Sequence, residues 1–381
     1  MKTPLLFLAL VALLSAPRLG AEPENRVVFT VEPSPEHPRN TEGSFVTLKS
    51  GRIVLFFSEF NRGKEDFSHA HISEVHSDDQ GVTWTQPAVV FENGDNLNVM
   101  SVSVLRLADG RIAIVYSVKR NSLDCRPVIR FSTDETATWS APVYIVDAPG
   151  YFVVNNDRVI QTGTGRIIVP VAFHRSLTSR DLGADTNDSR AITLWYYSDD
   201  RGATWVQSPT WWAIPVVSAS GLQEPGVVEL ADGSLFSWAR TDQGCEYGFR
   251  SRDDGRTWTV PEPTGLMSPL SPASIKRLPH SSALLAIYDD HSGRFPFDPE
   301  RRAPLVAAVS TDGGRTWPAA KVIESGRVNW YCYTAIHYIG HSVLLAYWVK
   351  DAPLTPENIK LGRMGRLRIR RLDLSWFPIV Q

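Results

Sequence analysis

Five aspartates, Asp79, Asp134, Asp200, Asp253 and Asp312, occupy the same place in five near-copies of one eight-residue phrase. A recurring carboxylate is the first place to look for acid–base or metal chemistry. The phrase reads Ser, any residue, Asp, any residue, Gly, any residue, Thr, Trp. Its copies run Ser77 to Trp84, Ser132 to Trp139, Ser198 to Trp205, Ser251 to Trp258 and Ser310 to Trp317, with Thr136 in place of Gly in the second. One carboxylate per phrase does not make a cation cage. Asp at the third position is instead a turn-former, expected to bond backbone N–H groups two residues on. Gly at the fifth position supplies a positive φ. Thr and Trp then open an extended run, and the indole can pack between neighbouring repeats. These aspartates therefore read as structural, and the chemistry has to come from other residues.

The phrases recur at intervals of 55, 66, 53 and 59 residues, which marks the chain as a repeat array. A second repeat runs in step with the first. Short apolar runs entered through Gly-containing turns lie at 48–56, 107–115, 163–170 and 230–236, with looser versions at 278–287 and 339–348. Apolar runs of this length between Gly and Asp turns read as hairpins of buried strands. Six hairpins and five turn phrases predict an all-β fold, a six-bladed β-propeller of four-stranded antiparallel blades. Such a fold removes most exposed sheet edges by radial closure. The last blade lacks a phrase, and the segment 367–374 is expected to complete it, paired with 27–30.

A propeller over residues 22–381 would be a single domain that uses nearly all of the 381 residues. The net charge of −2 gives no basis for a nucleic-acid partner. Lys2, the apolar run 5–14 and the small residues Ser15, Ala16, Gly20 and Ala21 form a secretory signal pattern over residues 1–21. This predicts export to a periplasm or beyond. No segment after the first 20 residues is apolar and long enough to span a bilayer. Cys125, Cys245 and Cys332 are odd in number and widely spaced, so they form neither a disulfide framework nor a zinc pattern. At most one pair can bridge.

The eight-residue phrase is the Asp box, or BNR repeat, and with it the chain resembles the sialidases over nearly its whole length. The resemblance implies an exo-acting glycosidase with a sialylated or other acidic glycan as substrate and no metal or organic cofactor. Fold alone does not settle activity. Sialidases hold the substrate carboxylate with three arginines, whose planar guanidinium forks match a carboxylate. Their nucleophile is a Tyr activated by a Glu, and an Asp serves as acid and base. On this resemblance Glu224, in Gln223-Glu224-Pro225-Gly226, is the activating Glu, and Arg240 is one arginine of the triad. Arg39, in Arg39-Asn40-Thr41-Glu42, is another, although the family's Ile-Pro is missing and Glu42 brings an extra carboxylate. Arg302 is the third, with Arg294 as its alternative. Asp66 is the candidate acid/base, with Glu65, His69 and His71 as rivals. A His is itself a competent acid at neutral pH. Tyr333 is the candidate nucleophile, in a Tyr333-Thr334-Ala335-Ile336 run closer to the family's pattern than Tyr331. Arg158, Arg126 and Asp157 are candidate substrate contacts beside Asn155 and Asn156. Two other readings stay open. One is cleavage of a different acidic sugar, or of a neutral sugar by carboxylates such as Glu42 and Glu224. The other is a non-catalytic propeller that binds glycans or proteins. Convergence of Arg39, Arg240 and Arg302 on Tyr333 and Glu224 separates the hydrolase from the binding module.

Overall fold

The computed structural model describes residues 23–178, 185–326, 329–351 and 364–378, so the signal segment 1–21 lies outside the described residues. Among the described residues the fold is all-β. Its one helical element is the single 3₁₀ turn Leu374–Trp376. No described helix is long and apolar enough to cross a membrane.

All six expected hairpins form. Their first two strands are Arg39–Thr47 with Ile53–Phe60, Asn98–Arg106 with Ile112–Lys119, and Ile160–Gln161 with Ile167–Thr178. The others are Gln223–Glu229 with Leu235–Arg240, Ser274–Arg277 with Leu284–Asp289, and Asn329–Ile339 with Ser342–Asp351. Ile53–Phe60, Ile112–Lys119 and Leu284–Asp289 are buried at every residue. That is why they read as unbroken apolar runs and not as alternation: both faces of the strand are covered. The outermost strands, such as Val143–Tyr144 and Val206–Gln207, are short, which limits exposed edge. Gly365–Asp373 pairs with both Ser342–Asp351 and Asn25–Val31, as the sequence predicts for the two chain ends.

The strands fall into two four-stranded sheets, one of eight and one of nine. Each larger sheet is two antiparallel units joined by one parallel bridge, Arg39 to Gly365 in one and Tyr151 to Cys125 in the other. Six strand units result. Apolar clusters lie between neighbouring units. One joins Val228 and Trp238 of one hairpin to Ile275 and Leu284 of the next.

The repeated phrase closes its turn with one hydrogen-bond pattern. Asp79 Oδ1 accepts from the Thr83 amide at 2.8 Å, and Oδ2 from the Thr83 hydroxyl at 2.6 Å. Ser77 Oγ accepts from the Gly81 amide at 2.8 Å. Asp134, Asp200, Asp253 and Asp312 repeat these contacts. The main partner lies four residues on, not the two expected, because Ser and Thr close a wider loop that the Asp spans. In the degraded copy the Thr136 amide still bonds Ser132 Oγ, and Thr136 takes a φ of 76°. The indoles pack between units as expected: Trp258 stacks on Trp195 with ring centroids 4.4 Å apart.

The first strands of four hairpins carry a bulge, between Thr41 and Ser44, Met100 and Ser103, Gln223 and Gly226, and Cys332 and Ala335. Each bulge contains a non-glycine residue in the left-handed region: Glu42, Ser101, Glu224 and Tyr333, with φ from 46° to 63°. Such conformations cost on the order of 1–3 kcal/mol each and persist only when the surroundings enforce them. A bulge re-aims a side chain out of the strand's alternation. After Glu42 the chain needs glycine, since a Cβ at Gly43 would stand 2.8 Å from both Leu55 Cδ1 and the Phe56 carbonyl oxygen. All three cysteines are buried and free, so no pair bridges.

Candidate active site

All four bulged residues meet. Glu42, Glu224 and Tyr333 line a cleft of about 250 Å³ together with Asp66, Ser101 and Arg240. A second basin of about 190 Å³ holds Arg39, Arg302, Trp330 and Trp348. The two basins share Asp66 and Tyr333 and so meet at those two side chains.

The Tyr333 hydroxyl donates to Glu224 Oε1 at 3.4 Å, and Arg240 Nη1 donates to Glu224 Oε2 at 2.7 Å. Arg240 Nε is held by Gln223 Oε1 at 2.9 Å, which fixes the plane of the guanidinium. Burial pushes the Tyr333 phenol above its ordinary pKa, and the negative charge of Glu224 adds to it. The positive charges of Arg240 and Arg302 act the other way. The phenol is therefore a neutral group, aimed at a carboxylate that can take its proton and flanked by cations that favour the phenolate.

Arg39 arrives on the opposite side. Its Nη1 donates to Asp66 Oδ1 at 2.5 Å and its Nη2 to Glu42 Oε1 at 2.9 Å. The guanidinium stacks on Phe60 at 4.4 Å from the ring centroid. Arg39 holds the Asp66 carboxyl down to about 2 by its charge and by its hydrogen bond. The Asp66 side chain is 63 % exposed, so solvent and substrate can reach it. Glu42 is buried and also accepts from the Ser101 hydroxyl. Burial raises its carboxyl pKa while Arg39 opposes the shift. Arg302 packs over Trp330 at 5.6 Å, and its Nη1 contacts Cys332 Sγ at 3.4 Å. Arg39, Arg240 and Arg302 thus surround Tyr333.

The alternatives sort themselves by position. His71 is buried in a separate cluster with Glu59 and Ser73. His69 is exposed beside Asn93, and Glu65 lines only the basin that holds Arg39. Arg294 donates to the Trp317 carbonyl oxygen. Tyr331 is core, its ring against Tyr347. Three expected substrate contacts are occupied elsewhere. Arg126 is held by Asp124 and the Asp147 carbonyl and lies over Tyr144. Asp157 accepts from Ser44 Oγ, Lys276 Nζ and the Ile336 amide, and so ties three hairpins together. Arg158 is 1 % exposed, over Trp238 and bonded to Ser274. None of these three lines either basin. Arg126 and Asp157 are held by scaffold partners, while Arg158 is buried with its Nε and Nη2 without a hydrogen-bond partner.

Sequence reasoning missed several neighbours and gave Asn156 only a place beside the candidate sugar contacts. Lys119 Nζ and Asn98 Nδ2 both donate to the Asp66 carbonyl oxygen, at 2.7 and 3.0 Å, and fix the loop that carries it. Asn156 donates to the carbonyls of Gly43 and Tyr333 and braces two of the bulges. Glu246 lies wholly buried without a hydrogen-bond partner. Burial pushes its carboxyl up to about 8, against the pull of Arg158 and Arg240. No spacing rule marks these residues, because each acts on a segment far away in the chain.

The class defined by fold and site is an Asp-box β protein with a Tyr–Glu pair ringed by arginines. A BNR repeat-like domain family model matches residues 100–344, and the chain belongs to that family, as a sialidase-like BNR-repeat protein. It is 30% identical to an anhydrosialidase of Macrobdella decora over 144 residues, 34% of this chain and 16% of that protein. With a sialidase of Clostridium perfringens it shares 25% identity over 245 residues, 57% of this chain and 59% of the relative. The chain thus spans less than two thirds of either relative. Among solved structures, the intramolecular trans-sialidase of Ruminococcus gnavus superposes with a TM-score of 0.70 at 13% identity, covering 95% of this chain and 100% of that one. A protein of unknown function from Dyadobacter fermentans gives 0.69 at 19% identity, covering 92% and 98%. At these identities the likeness shows the fold alone.

Proposed function

We propose that this chain is an exported exo-glycoside hydrolase of sialidase type, built as one closed six-bladed propeller over residues 22–381. Six strand units support the blade count. Ring closure is supported by contacts of Arg39–Thr47 with both Asn98–Arg106 and Asn329–Ile339, the first strands of the neighbouring units. Residues 1–21 carry the export signal in this reading.

The observation that carries the activity is the Tyr333 hydroxyl on Glu224, with Arg39, Arg240 and Arg302 around it. A substrate whose anomeric carbon bears a carboxylate would repel a carboxylate nucleophile, and a neutral phenol avoids that repulsion. Tyr333 Oη attacks the anomeric carbon while its proton passes to Glu224. The glycosidic C–O bond breaks, and Asp66 protonates the leaving oxygen. Water then cleaves the glycosyl–tyrosine bond with Asp66 as base, for net retention. The three arginines hold the substrate carboxylate throughout. Asp66 is ionised while Arg39 holds it, so the incoming carboxylate must take its place on Arg39 before Asp66 can carry a proton. Substrate binding thereby arms the acid.

One observation favours a second sugar. Glu42 occupies an edge of the Arg39 guanidinium, and a carboxylate there favours a sugar that offers a hydroxyl donor at that place. The test is turnover of a fluorogenic α-sialoside by wild type and Tyr333→Phe. Wild type should turn over and the variant should lose at least about 10³-fold in kcat. Equal rates would remove Tyr333 as nucleophile. Turnover of another acidic or neutral glycoside alone would change the sugar. No turnover of any glycoside would leave a binding module.

A further inference from the structure

Outside the cleft, His37, Glu59 and His71 bring three ligand atoms within 4.8 Å of one another. Glu59 and His71 are paired across the strands Ile53–Phe60 and Ala70–Ser77. His71 Nε2 stands 2.8 Å from Glu59 Oε2, and His37 Nδ1 stands 3.8 Å from Glu59 Oε1. His37 Nδ1 is out of contact with water and has no hydrogen-bond partner, although the ring itself is 39 % exposed. A buried imidazole nitrogen without a partner, turned towards a carboxylate, is an unmet demand for a proton or a cation.

We propose that His37, Glu59 and His71 form a binding site for a divalent transition-metal cation of the zinc class. Two nitrogens and one carboxylate are the donor set such a cation takes, with a fourth position left for water. Ligands about 2.0–2.1 Å from a tetrahedral zinc stand roughly 3.3 Å apart. The two separations, 2.8 Å to Oε2 and 3.8 Å to Oε1, reach different oxygens of Glu59, so a carboxylate that offers both oxygens and a rotation of the half-exposed His37 ring complete the geometry. On binding, the cation takes the place of the proton on His71 Nε2, and that proton passes to Nδ1, so the imidazole stays neutral. His71 Nδ1 stands 3.1 Å from Asn61 Nδ2, and a flip of that amide turns its oxygen to the Nδ1–H, the outer contact that orients a ligating imidazole. A cleft of about 610 Å³ lined by Val31, Ser34, His37, Glu59 and Pro87 gives the cation a way in and room for its water.

The site has a consequence for the fold that does not depend on the sialidase reading. His37 lies two residues before Arg39, while Glu59 and His71 flank the 61–69 loop that carries Asp66. A bound cation therefore ties the segment leading into Arg39 to the base of the Asp66 loop.

The test uses the full mature chain, made without a histidine tag and stripped with chelator. Zn²⁺ titrated by calorimetry should bind at about one equivalent per chain and raise the melting temperature. Co²⁺ should give visible absorption of a tetrahedral nitrogen–oxygen site. His37→Ala, on an exposed loop where folding is insulated, should weaken Zn²⁺ binding at least about 10-fold. Glu59→Gln should do the same, provided circular dichroism shows it folded. Absence of binding by wild type, or equal binding by wild type and His37→Ala, would overturn the site. Sialoside turnover is read separately, so failure of the metal site and failure of the hydrolase are distinguishable.

Discussion

Asp79 in the first repeated turn and Asp66 in the cleft are both held at a pKa of about 2, by opposite means. Asp79 is held by the hydroxyl and amide of Thr83, four residues on in the same turn. Asp66 is held by Arg39, 27 residues earlier on another strand. The first carboxylate is satisfied by its own sequence neighbourhood and can be copied five times. The second is satisfied only after two distant segments have met, and it occurs once. A group whose partner lies within its own turn is fixed for good. In the proposed reaction Arg39 also takes the substrate carboxylate, so Asp66 would be released when substrate arrives.

The contrast breaks most deeply at Arg302, whose Nη1 contacts Cys332 Sγ and which lines the basin beside Tyr333. Arg302→Lys keeps the charge and loses the planar fork. It should cost about 10- to 100-fold in kcat/KM on the sialoside, the worth of one charge-assisted hydrogen bond. An unchanged kcat/KM would remove Arg302 from carboxylate binding. A middle-sized effect is expected at the turn. Asp79→Ala should lower the melting temperature by about 2 °C at pH 7 and leave kcat/KM as it was. Because the folded-state pKa of Asp79 is depressed, its contribution is present above pH about 4 and is lost as pH falls through about 2. The gap between variant and wild type in thermal melts should therefore close over that window. A gap that persists at pH 2, or a loss of activity, would mean that the turns and the cleft are coupled. The smallest effect is expected in the degraded turn, where Thr136 is a β-branched residue at a φ of 76°. Thr136→Gly should raise the melting temperature by about 1 °C by relieving that strain. A lower melting temperature would show that the Thr side chain contributes more than its backbone costs.

Much of the fold was legible because its determinants are local. The six apolar runs, the Gly turns and the Asp–Thr contacts all lie within a few residues of one another, and each predicted hairpin forms. The pairing of the chain ends was legible from the missing sixth turn. The site was legible only in part. Glu224 and Arg240 sit on one hairpin, where Arg240 is the strand partner of Gln223, so their meeting follows from a spacing of 16 residues. Tyr333 reaches Glu224 from 109 residues away, and the resemblance to sialidases, not any rule of spacing, pointed to it. Arg158, Arg126 and Asp157 look like sugar contacts as residue types. Arg126 and Asp157 are taken up by scaffold partners, and Arg158 is buried over Trp238, a placement that residue type alone does not display.

The sequence by itself determined that this chain is a repeated β structure, which carboxylates close its turns, and which residue types are on hand for chemistry. Only the tertiary structure decided which of them meet. Bulges in four first strands turn Glu42, Ser101, Glu224 and Tyr333 out of the strand alternation, and neighbouring strands hold that costly backbone in place. Turn formation is a contest among nearby groups and can be read along the chain. A cleft is a contest among groups that become neighbours only when the sheets pack, and packing determines whether an arginine serves a ligand or the scaffold.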